Sequence, residues 1–219
     1  MDIGNRSFEN LVHLVRSTVN NMGKERIFSA LSKFGISQQD IDEGKSLLDN
    51  IDETEKRALV KRGNYYKAMD RFDLAWADLR SISADHVRFC RLLFRNRTGV
   101  LEKINLKGNR PRAFLPWLET TKQFYTSLLE DKSLIDTLKK RNITRQELTG
   151  TLKDLENLEE LNRLKNMGKE EMRATKMELK ECLNSALAWR HEIIVFARAG
   201  LGKNAPILEA LGVKVKIKR

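Results

Sequence analysis

The stretch ALSKFGISQQDIDEGKSLLDNI, residues 30–51, contains the signals that end one helix and begin the next. Gly35 suits the left-handed backbone conformation that commonly closes a helix. Ser37 and Asp40 stand three residues apart, which is the spacing of an N-terminal capping arrangement. Apolar residues then recur at helical spacing, so the sequence predicts that a long helix begins near residue 37.

The same signals return 107 residues later in TLKKRNITRQELTGTLKDLENL, residues 137–158. Asn142, the residue type next most tolerant of left-handed backbone, replaces the glycine, and Thr144 with Glu147 makes a full capping box. The ungapped match extends from about residue 27 to residue 106 under this shift, and apolar positions persist in it while other positions change. We therefore predict that the chain is a tandem duplication.

The duplication divides the chain into a first helical repeat at residues 1–107, a linker at 108–112 and a second helical repeat at 113–219. Leu, Ala, Glu, Lys and Arg dominate the composition, and three prolines and twelve glycines are few for 219 residues, so we expect an all-α fold. The two repeats are expected to pack together as one pseudo-two-fold unit. Thr98 and Asn204 are expected to cap the short helices that close the repeats.

Each repeat contains a long stretch without proline, at residues 37–96 and 144–199. Apolar residues alternate steps of three and four in it, but a polar segment with a glycine, Gly63 or Gly168, interrupts each stretch. The pattern fits either one long helix per repeat or a hairpin folded near the glycine. We favour long antiparallel helices in a bundle-like arrangement, because one glycine inside a helix costs only about 1 kcal/mol relative to alanine.

The chain carries 41 Lys+Arg against 30 Asp+Glu, a formal net charge of +11, and the excess is concentrated in two segments. Residues 88–112 hold eight positive side chains and a single acid, and residues 214–219 hold four positive side chains. Such segments can bind nucleic acid or another anionic surface, although cations near a helix C-terminus also interact favourably with its dipole. The candidate anion-binding residues are Arg88, Arg95, Arg97, Arg110, Arg112, Lys214, Lys216 and Lys218.

Two further arginines, Arg91 and Arg198, occupy equivalent positions in the two repeats. Because both repeats have them, we expect them to be structural. They would either donate hydrogen bonds to backbone carbonyl groups or pair with an acid such as Glu102 or Glu209. The other arginines of residues 88–97 lack basic equivalents in the second repeat. The fold therefore does not require them, and a binding function would reside there.

The sequence contains no constellation of residues typical of an enzyme or a metal site. Its three histidines lack the spacing of zinc-protease or di-iron motifs. His86 falls on an apolar stripe, where a core histidine with satisfied hydrogen bonds is expected. We therefore predict no catalytic residues, no metal, no cofactor and no enzymatic activity. The tryptophans are expected to pack in the core rather than to stack on nucleic-acid bases: Trp76, Trp117 and Trp189.

The second repeat contains the segments FYTSLL, LKKRNITRQEL, GKEEMRATKMEL and FARAGLGKNAPILEALGV. Together they resemble a family of bacterial all-helical proteins of unestablished function, whose members end in a variant of ARIAL…PQLLEALGI. The likeness covers most of the second repeat and, more faintly, the first. Its motifs are helix caps and core positions, so the resemblance implies an all-helical fold and a bacterial origin and transfers no active site. Gly200 departs from the family pattern, which has a larger apolar residue there.

The sequence predicts a non-enzymatic helical-bundle protein whose leading function is protein–protein interaction or scaffolding with an unidentified protein partner. The alternative function is binding of nucleic acid or an anionic surface through residues 88–112 and 214–219. No segment has the apolar length of a membrane span or the pattern of a secretory signal, so we expect a cytoplasmic protein. The sequence leaves open whether the chain forms a homo-oligomer.

Overall fold

A computed structural model describes residues 7–202 and 205–213, and in this part of the chain every regular element is a helix. The all-α fold predicted from the sequence is therefore confirmed. No helix in the described ranges is long and apolar enough to cross a membrane. The elements are α1 (Phe8–Met22), α2 (Glu25–Leu31), a 3₁₀ turn (Ser32–Phe34), α3 (Gln38–Leu93), α4 (Thr98–Lys103), α5 (Phe114–Glu130), α6 (Lys132–Lys139), α7 (Arg145–Leu201) and α8 (Ala205–Ala210).

The two long stretches without proline form single helices rather than hairpins. Helix α3 has 56 residues and helix α7 has 57 residues. Gly63 and Gly168 both lie inside these helices, in segments of unbroken helical backbone. The prediction of long helices is therefore confirmed, in agreement with the small cost of one glycine within a helix.

Both long helices begin at the predicted caps. The backbone N–H and the hydroxyl of Ser37 donate to Asp40 Oδ2 at 2.6 and 2.8 Å. Thr144 N–H donates to Glu147 Oε2 at 3.4 Å, and Glu147 N–H donates to Thr144 Oγ1 at 3.1 Å. The three bonds donated by backbone N–H groups satisfy donors that a helix start leaves without a partner, which explains why the helices begin where the sequence places the caps.

Of the two caps predicted for the short closing helices, one is wrong and the other lies outside the described residues. Thr98 is not a cap, because it is the first residue of α4 and Arg97 occupies the cap position without a side-chain hydrogen bond. A turn places Arg97 there: its N–H donates to the carbonyl oxygen of Phe94 at 2.8 Å. Asn204 lies outside the described residues.

Turn positions recur 107 residues apart. Gly35 and Asn142 have φ angles of 85° and 63°, which confirms the left-handed backbone predicted at both. Asn105 and Gly212 form a second such pair, with φ angles of 53° and 76°. The described α-helices of residues 1–107 also match those of the second half in order, with bounds that agree within one residue after the shift. Equivalent local structure supports the duplication, which stays a prediction.

The chain forms two compact units, and each unit is assembled from both predicted repeats. Unit 1 combines residues 1–63 with residues 170–219, and unit 2 comprises residues 64–169. These bounds differ from the predicted division at 108–112, because α3 and α7 each run through both units. Under the shift of 107 residues, segment 1–63 of unit 1 corresponds to residues 108–170, and segment 170–219 corresponds to residues 63–112. Together these ranges cover unit 2 within one residue at each end, so each unit contains an equivalent set of helical segments.

In unit 1, the first part of α3 and the last part of α7 pack with α1, α2 and α8 around an aliphatic core that includes the buried Trp189. The two long helices are antiparallel here. Thr54 Oγ1 lies 3.8 Å from Cys182 Sγ, and further along α3 Arg57 Nη2 lies 2.7 Å from Glu178 Oε1. Residue numbers therefore increase along α3, while those of the contacting residues decrease along α7.

In unit 2, the last part of α3 and the first part of α7 pack with α4, α5 and α6 around a core rich in aromatic side chains, including Phe72 and Tyr125. The long helices are antiparallel in this unit as well. Lys165 Nζ lies 3.5 Å from the centroid of the Phe72 ring, and further along α3 His86 Nε2 lies 3.1 Å from Glu147 Oε1. Unit 2 also contains the predicted linker and the whole of the first basic segment.

Candidate anion-binding cleft

An open cleft of about 520 Å³ lies in unit 2 between α3, the start of α5 and the segment that joins α4 to α5. No aspartate or glutamate of the described residues lines it. We call it the arginine cleft, because five arginines line it: Arg80, Arg88 and Arg91 from α3, and Arg110 and Arg112 from the segment before α5.

Helical spacing explains how α3 contributes three of these arginines. Arg88 and Arg91 are one turn apart, and Arg80 precedes Arg91 by eleven residues, about three turns. The three side chains therefore project from one side of α3 along about 16 Å of helix. Arg88 contacts the carboxylate of Asp85 one turn earlier, and both side chains of this pair are largely exposed.

Arg91 holds the α4–α5 segment against α3. Its Nη2 donates to the carbonyl oxygen of Gly108 at 2.7 Å and to that of Leu106 at 3.4 Å. These are contacts of the kind expected for a structural arginine, and Arg91 lines the cleft at the same time. The side chain of its equivalent, Arg198, is exposed and has no hydrogen-bonded or ionic partner among the described residues.

Arg110 is the most enclosed of the cleft arginines. Its Nη2 donates to Thr121 Oγ1 at 2.7 Å, and that hydroxyl in turn donates to the carbonyl oxygen of Trp117 at 2.6 Å. The guanidinium also lies 5.6 Å from the centroid of the Phe124 ring. Its Nη1 is buried and has no hydrogen-bond partner within the described ranges. Burial, together with the nearby Arg91, lowers the pKa of Arg110, which still stays charged at neutral pH.

An aromatic cluster adjoins the arginines. Trp76 lies 6.3 Å from Trp117 between ring centroids, and Arg80 lies over the Trp76 ring at 5.6 Å. Trp117 and Trp189 are buried, which confirms the core packing predicted for both. Trp76 is half-buried against Phe114 and has a buried Nε1 without a partner in the described part of the chain.

The structure brings together some of the candidate residues from the sequence and leaves others apart. Arg88, Arg110 and Arg112 line the arginine cleft, whereas Arg95 and Arg97 are exposed and do not line it. Arg80 was not among the candidates predicted from the sequence, although its helical spacing from the basic segment could have revealed it. The candidates in the C-terminal segment lie outside the described residues: Lys214, Lys216 and Lys218.

His86 belongs to a buried hydrogen-bonded group of unit 2. Its Nδ1 lies 2.8 Å from the hydroxyl of Tyr125, and its Nε2 lies 3.1 Å from Glu147 Oε1. A neutral imidazole satisfies both contacts if Nε2–H donates to the carboxylate and Nδ1 accepts from the hydroxyl. The predicted core histidine with satisfied hydrogen bonds is confirmed.

Cys90, in the same core, lacks the chemistry of a catalytic thiol. Burial raises the pKa of Cys90 to about 12, so the side chain stays a protonated thiol at neutral pH. Among the described residues, no group of three or more His, Cys, Asp or Glu side chains could hold a metal ion.

No protein-family model, curated protein or solved structure matches the chain. The resemblance to a family of bacterial all-helical proteins therefore stays a prediction.

Proposed function

We propose that this protein binds nucleic acid through the phosphate backbone, with the arginine cleft of unit 2 as the binding surface. One observation carries the proposal: five guanidinium groups line a single cleft to which the described residues contribute no carboxylate. Unit 2 holds 21 Lys+Arg against 14 Asp+Glu, a net charge of +7, so the surroundings of the cleft are also positive. An electrostatic field of this sign attracts polyanions and accelerates their association.

The residue type favours phosphate over other anions. A guanidinium group presents several N–H donors in a planar fork that matches two phosphate oxygens, and it stays charged when it is partly buried. The α3 arginines extend over about 16 Å, a length that several successive phosphates of one strand occupy. The tryptophan that lines the cleft is buried, so stacking on bases is not supported and the proposed contacts are independent of sequence.

The proposal reverses the order of the two functions predicted from the sequence. Protein–protein interaction was the leading prediction, but the arginine cleft gives nucleic-acid binding a defined surface with named residues. We retain the expectation that the protein is not an enzyme and that it works in the bacterial cytoplasm.

Charge removal within the cleft tests the proposal. The variant Arg80→Ala/Arg88→Ala/Arg112→Ala leaves Arg91 and Arg110, whose backbone and hydroxyl contacts support the fold. We expect this variant to bind fluorescein-labelled single-stranded and double-stranded DNA and RNA about tenfold or more weakly than the wild type at low salt, since charge-assisted hydrogen bonds are lost. Fluorescence anisotropy titrations measure the affinities.

A second triple variant with the same change in charge is the control. Arg71→Ala/Arg95→Ala/Arg97→Ala removes three exposed arginines of unit 2 that do not line the cleft. We expect it to lose much less affinity than the cleft variant, because only the long-range part of the electrostatic attraction changes. Equal losses in the two variants, or no binding of any nucleic acid by the wild type at low salt, would refute the proposal.

A further inference from the structure

A second cleft, of about 330 Å³, lies in unit 1 between the turn that precedes α3 and the last part of α7. We call it the aromatic groove, because Phe34 from the 3₁₀ turn and Trp189 and Phe196 from α7 line it. Phe34 and Phe196 are 41% and 51% exposed, whereas Trp189 is buried. Two phenyl rings therefore face solvent beside a buried indole, an arrangement that leaves apolar surface for a partner to cover.

The fold holds two of these rings in place. A Cβ atom at Gly200 would lie 2.1 Å from Phe34 Cγ, so the Phe34 ring rests directly on the backbone of α7. The Nε1–H of Trp189 donates to the carbonyl oxygen of Asp40 at 3.1 Å, which fixes the indole against the start of α3. These rings therefore form a preorganised surface, and a ligand does not have to order them on binding.

The charged side chains of the groove are all acidic. Asp40, Glu43 and Glu192 line it, and no lysine or arginine of the described residues does. Asp40 accepts hydrogen bonds in the cap of α3. Glu43 and Glu192 are exposed and have no ion-pair partner in the described part of the chain. The groove is thus locally negative in a chain whose net charge is +11.

We infer that the aromatic groove binds a peptide segment of a partner protein in which apolar residues alternate with lysine or arginine. The apolar side chains cover the Phe34 and Phe196 rings, and the cationic groups pair with Glu43 and Glu192. Cations are also attracted to the faces of the aromatic rings. The groove and the arginine cleft therefore select partners of opposite charge, so this interaction goes beyond the proposed function and does not depend on it.

A fluorescein-labelled octapeptide of alternating leucine and lysine is the probe, and the full chain is the receptor. We expect the wild type to bind it, and Glu43→Gln/Glu192→Gln to bind it about tenfold more weakly because two ion pairs are lost. Glu25→Gln/Glu55→Gln removes two exposed carboxylates elsewhere in unit 1 and is expected to keep wild-type affinity. Phe196→Ala truncates an exposed ring, so it tests the apolar contact without a loss of core packing.

Three results would overturn the inference. They are absence of binding by the wild type at millimolar peptide, equal binding by the wild type and Glu43→Gln/Glu192→Gln, and preferential binding of an octapeptide with glutamate in place of lysine. The arginine-cleft variant Arg80→Ala/Arg88→Ala/Arg112→Ala is expected to bind the lysine peptide like the wild type. If that variant binds the peptide and the wild type binds no nucleic acid, the proposed function fails and the groove inference stands.

Discussion

Gly44 allows the indole of Trp189 to pack against the backbone of α3. A Cβ atom added at Gly44 would lie 2.4 Å from Trp189 Cζ2 and 2.8 Å from Val19 Cγ2. Trp189 is buried, and its hydrogen bond to the backbone of Asp40 prevents the ring from moving aside. Alanine is favoured over glycine at most helical positions, but here close packing reverses that preference.

We expect Gly44→Ala to lower the free energy of unfolding by about 1–3 kcal/mol, the usual cost of overpacking a core. Gly150→Ala on α7 is the matched control, because a Cβ atom there meets no atom of the described residues within 4 Å. Alanine at that position gains helix propensity of up to about 1 kcal/mol. Urea denaturation followed by circular dichroism compares the two variants. A Gly44→Ala variant as stable as Gly150→Ala would contradict the packing of Trp189 on α3.

Single arginines illustrate what residue patterns can predict. Arg91 and Arg198 are equivalent in sequence, yet the Arg91 side chain donates hydrogen bonds to two backbone carbonyl groups, while the Arg198 side chain makes no such contact among the described residues. Recurrence in the sequence therefore indicates a shared position on the helix, but not a shared partner. The partner depends on the loop that follows, and the two repeats differ there.

At the scale of helices, the starts of α3 and α7 could be predicted because each depends on local chemistry. A capping residue, an acid three residues later and a left-handed residue before them lie within a few positions of one another. The packing partners of each helix could not be predicted in the same way. Apolar periodicity indicates that one face of a helix is buried, but it does not identify the surface that covers it.

The arginine cleft depends on such a long-range arrangement. Helical spacing places Arg80, Arg88 and Arg91 on one side of α3, and this part could be predicted from the sequence. Arg110 and Arg112 join them only because the α4–α5 segment folds back on α3 and is held there through Arg91. Neither composition nor periodicity specifies the path of that segment.

Asp131 is the N-cap of helix α6, and its carboxylate receives several hydrogen bonds. It accepts from Lys103 Nζ at 2.8 Å, from Ser133 Oγ at 2.7 Å and from the backbone N–H groups of Ser133 and Leu134. Lys103 first, and Ser133 second, hold the pKa of Asp131 well below its usual range. The cap therefore ties α6 to the end of α4 within unit 2.

The lowered pKa gives the stability of the chain a defined dependence on pH. Because the folded-state pKa of Asp131 is the lower one, the ionised carboxylate stabilises the folded chain above the ordinary carboxyl pKa of about 4. This contribution is lost as the pH falls toward the folded-state value. We expect Asp131→Asn, which can still accept cap hydrogen bonds, to lose less stability than the wild type between about pH 5 and pH 2.5.

Urea midpoints measured across that pH range test the cap. Asp136→Asn is the control, since Asp136 is exposed on the same helix and lies outside the cap. A wild type and an Asp131→Asn variant with the same loss of stability on acidification would show that the Asp131 contacts do not stabilise the folded chain.

At the scale of the whole molecule, the predicted repeats and the two compact units are different divisions of the chain. Each compact unit takes helices from both halves, so the predicted repeats are not the units that enclose the cores. Repeats joined by long helices can be assembled in this way because each helix contributes to one core at its start and to another at its end. The apolar periodicity of the helices is the same whether each repeat encloses its own core or each core takes helices from both repeats. Periodicity therefore could not distinguish these two assemblies.

Charge is distributed unequally between the two units. Unit 2 has a net charge of +7, whereas unit 1 has a net charge of +4, and four of its positive side chains lie in residues 214–219. The rest of unit 1 is therefore neutral, and it contains the acidic lining of the aromatic groove. This inequality supports the assignment of nucleic-acid binding to unit 2.

The salt dependence of DNA binding tests this assignment most directly. If the five cleft arginines each neutralise one phosphate of duplex DNA, the logarithm of the association constant should fall with the logarithm of salt concentration with a slope of about −4.5. Loss of Arg80, Arg88 and Arg112 should reduce the slope to about −2, whereas the Arg71/Arg95/Arg97 control should keep a slope near that of the wild type. The same slope for the wild type and the cleft variant would contradict the account.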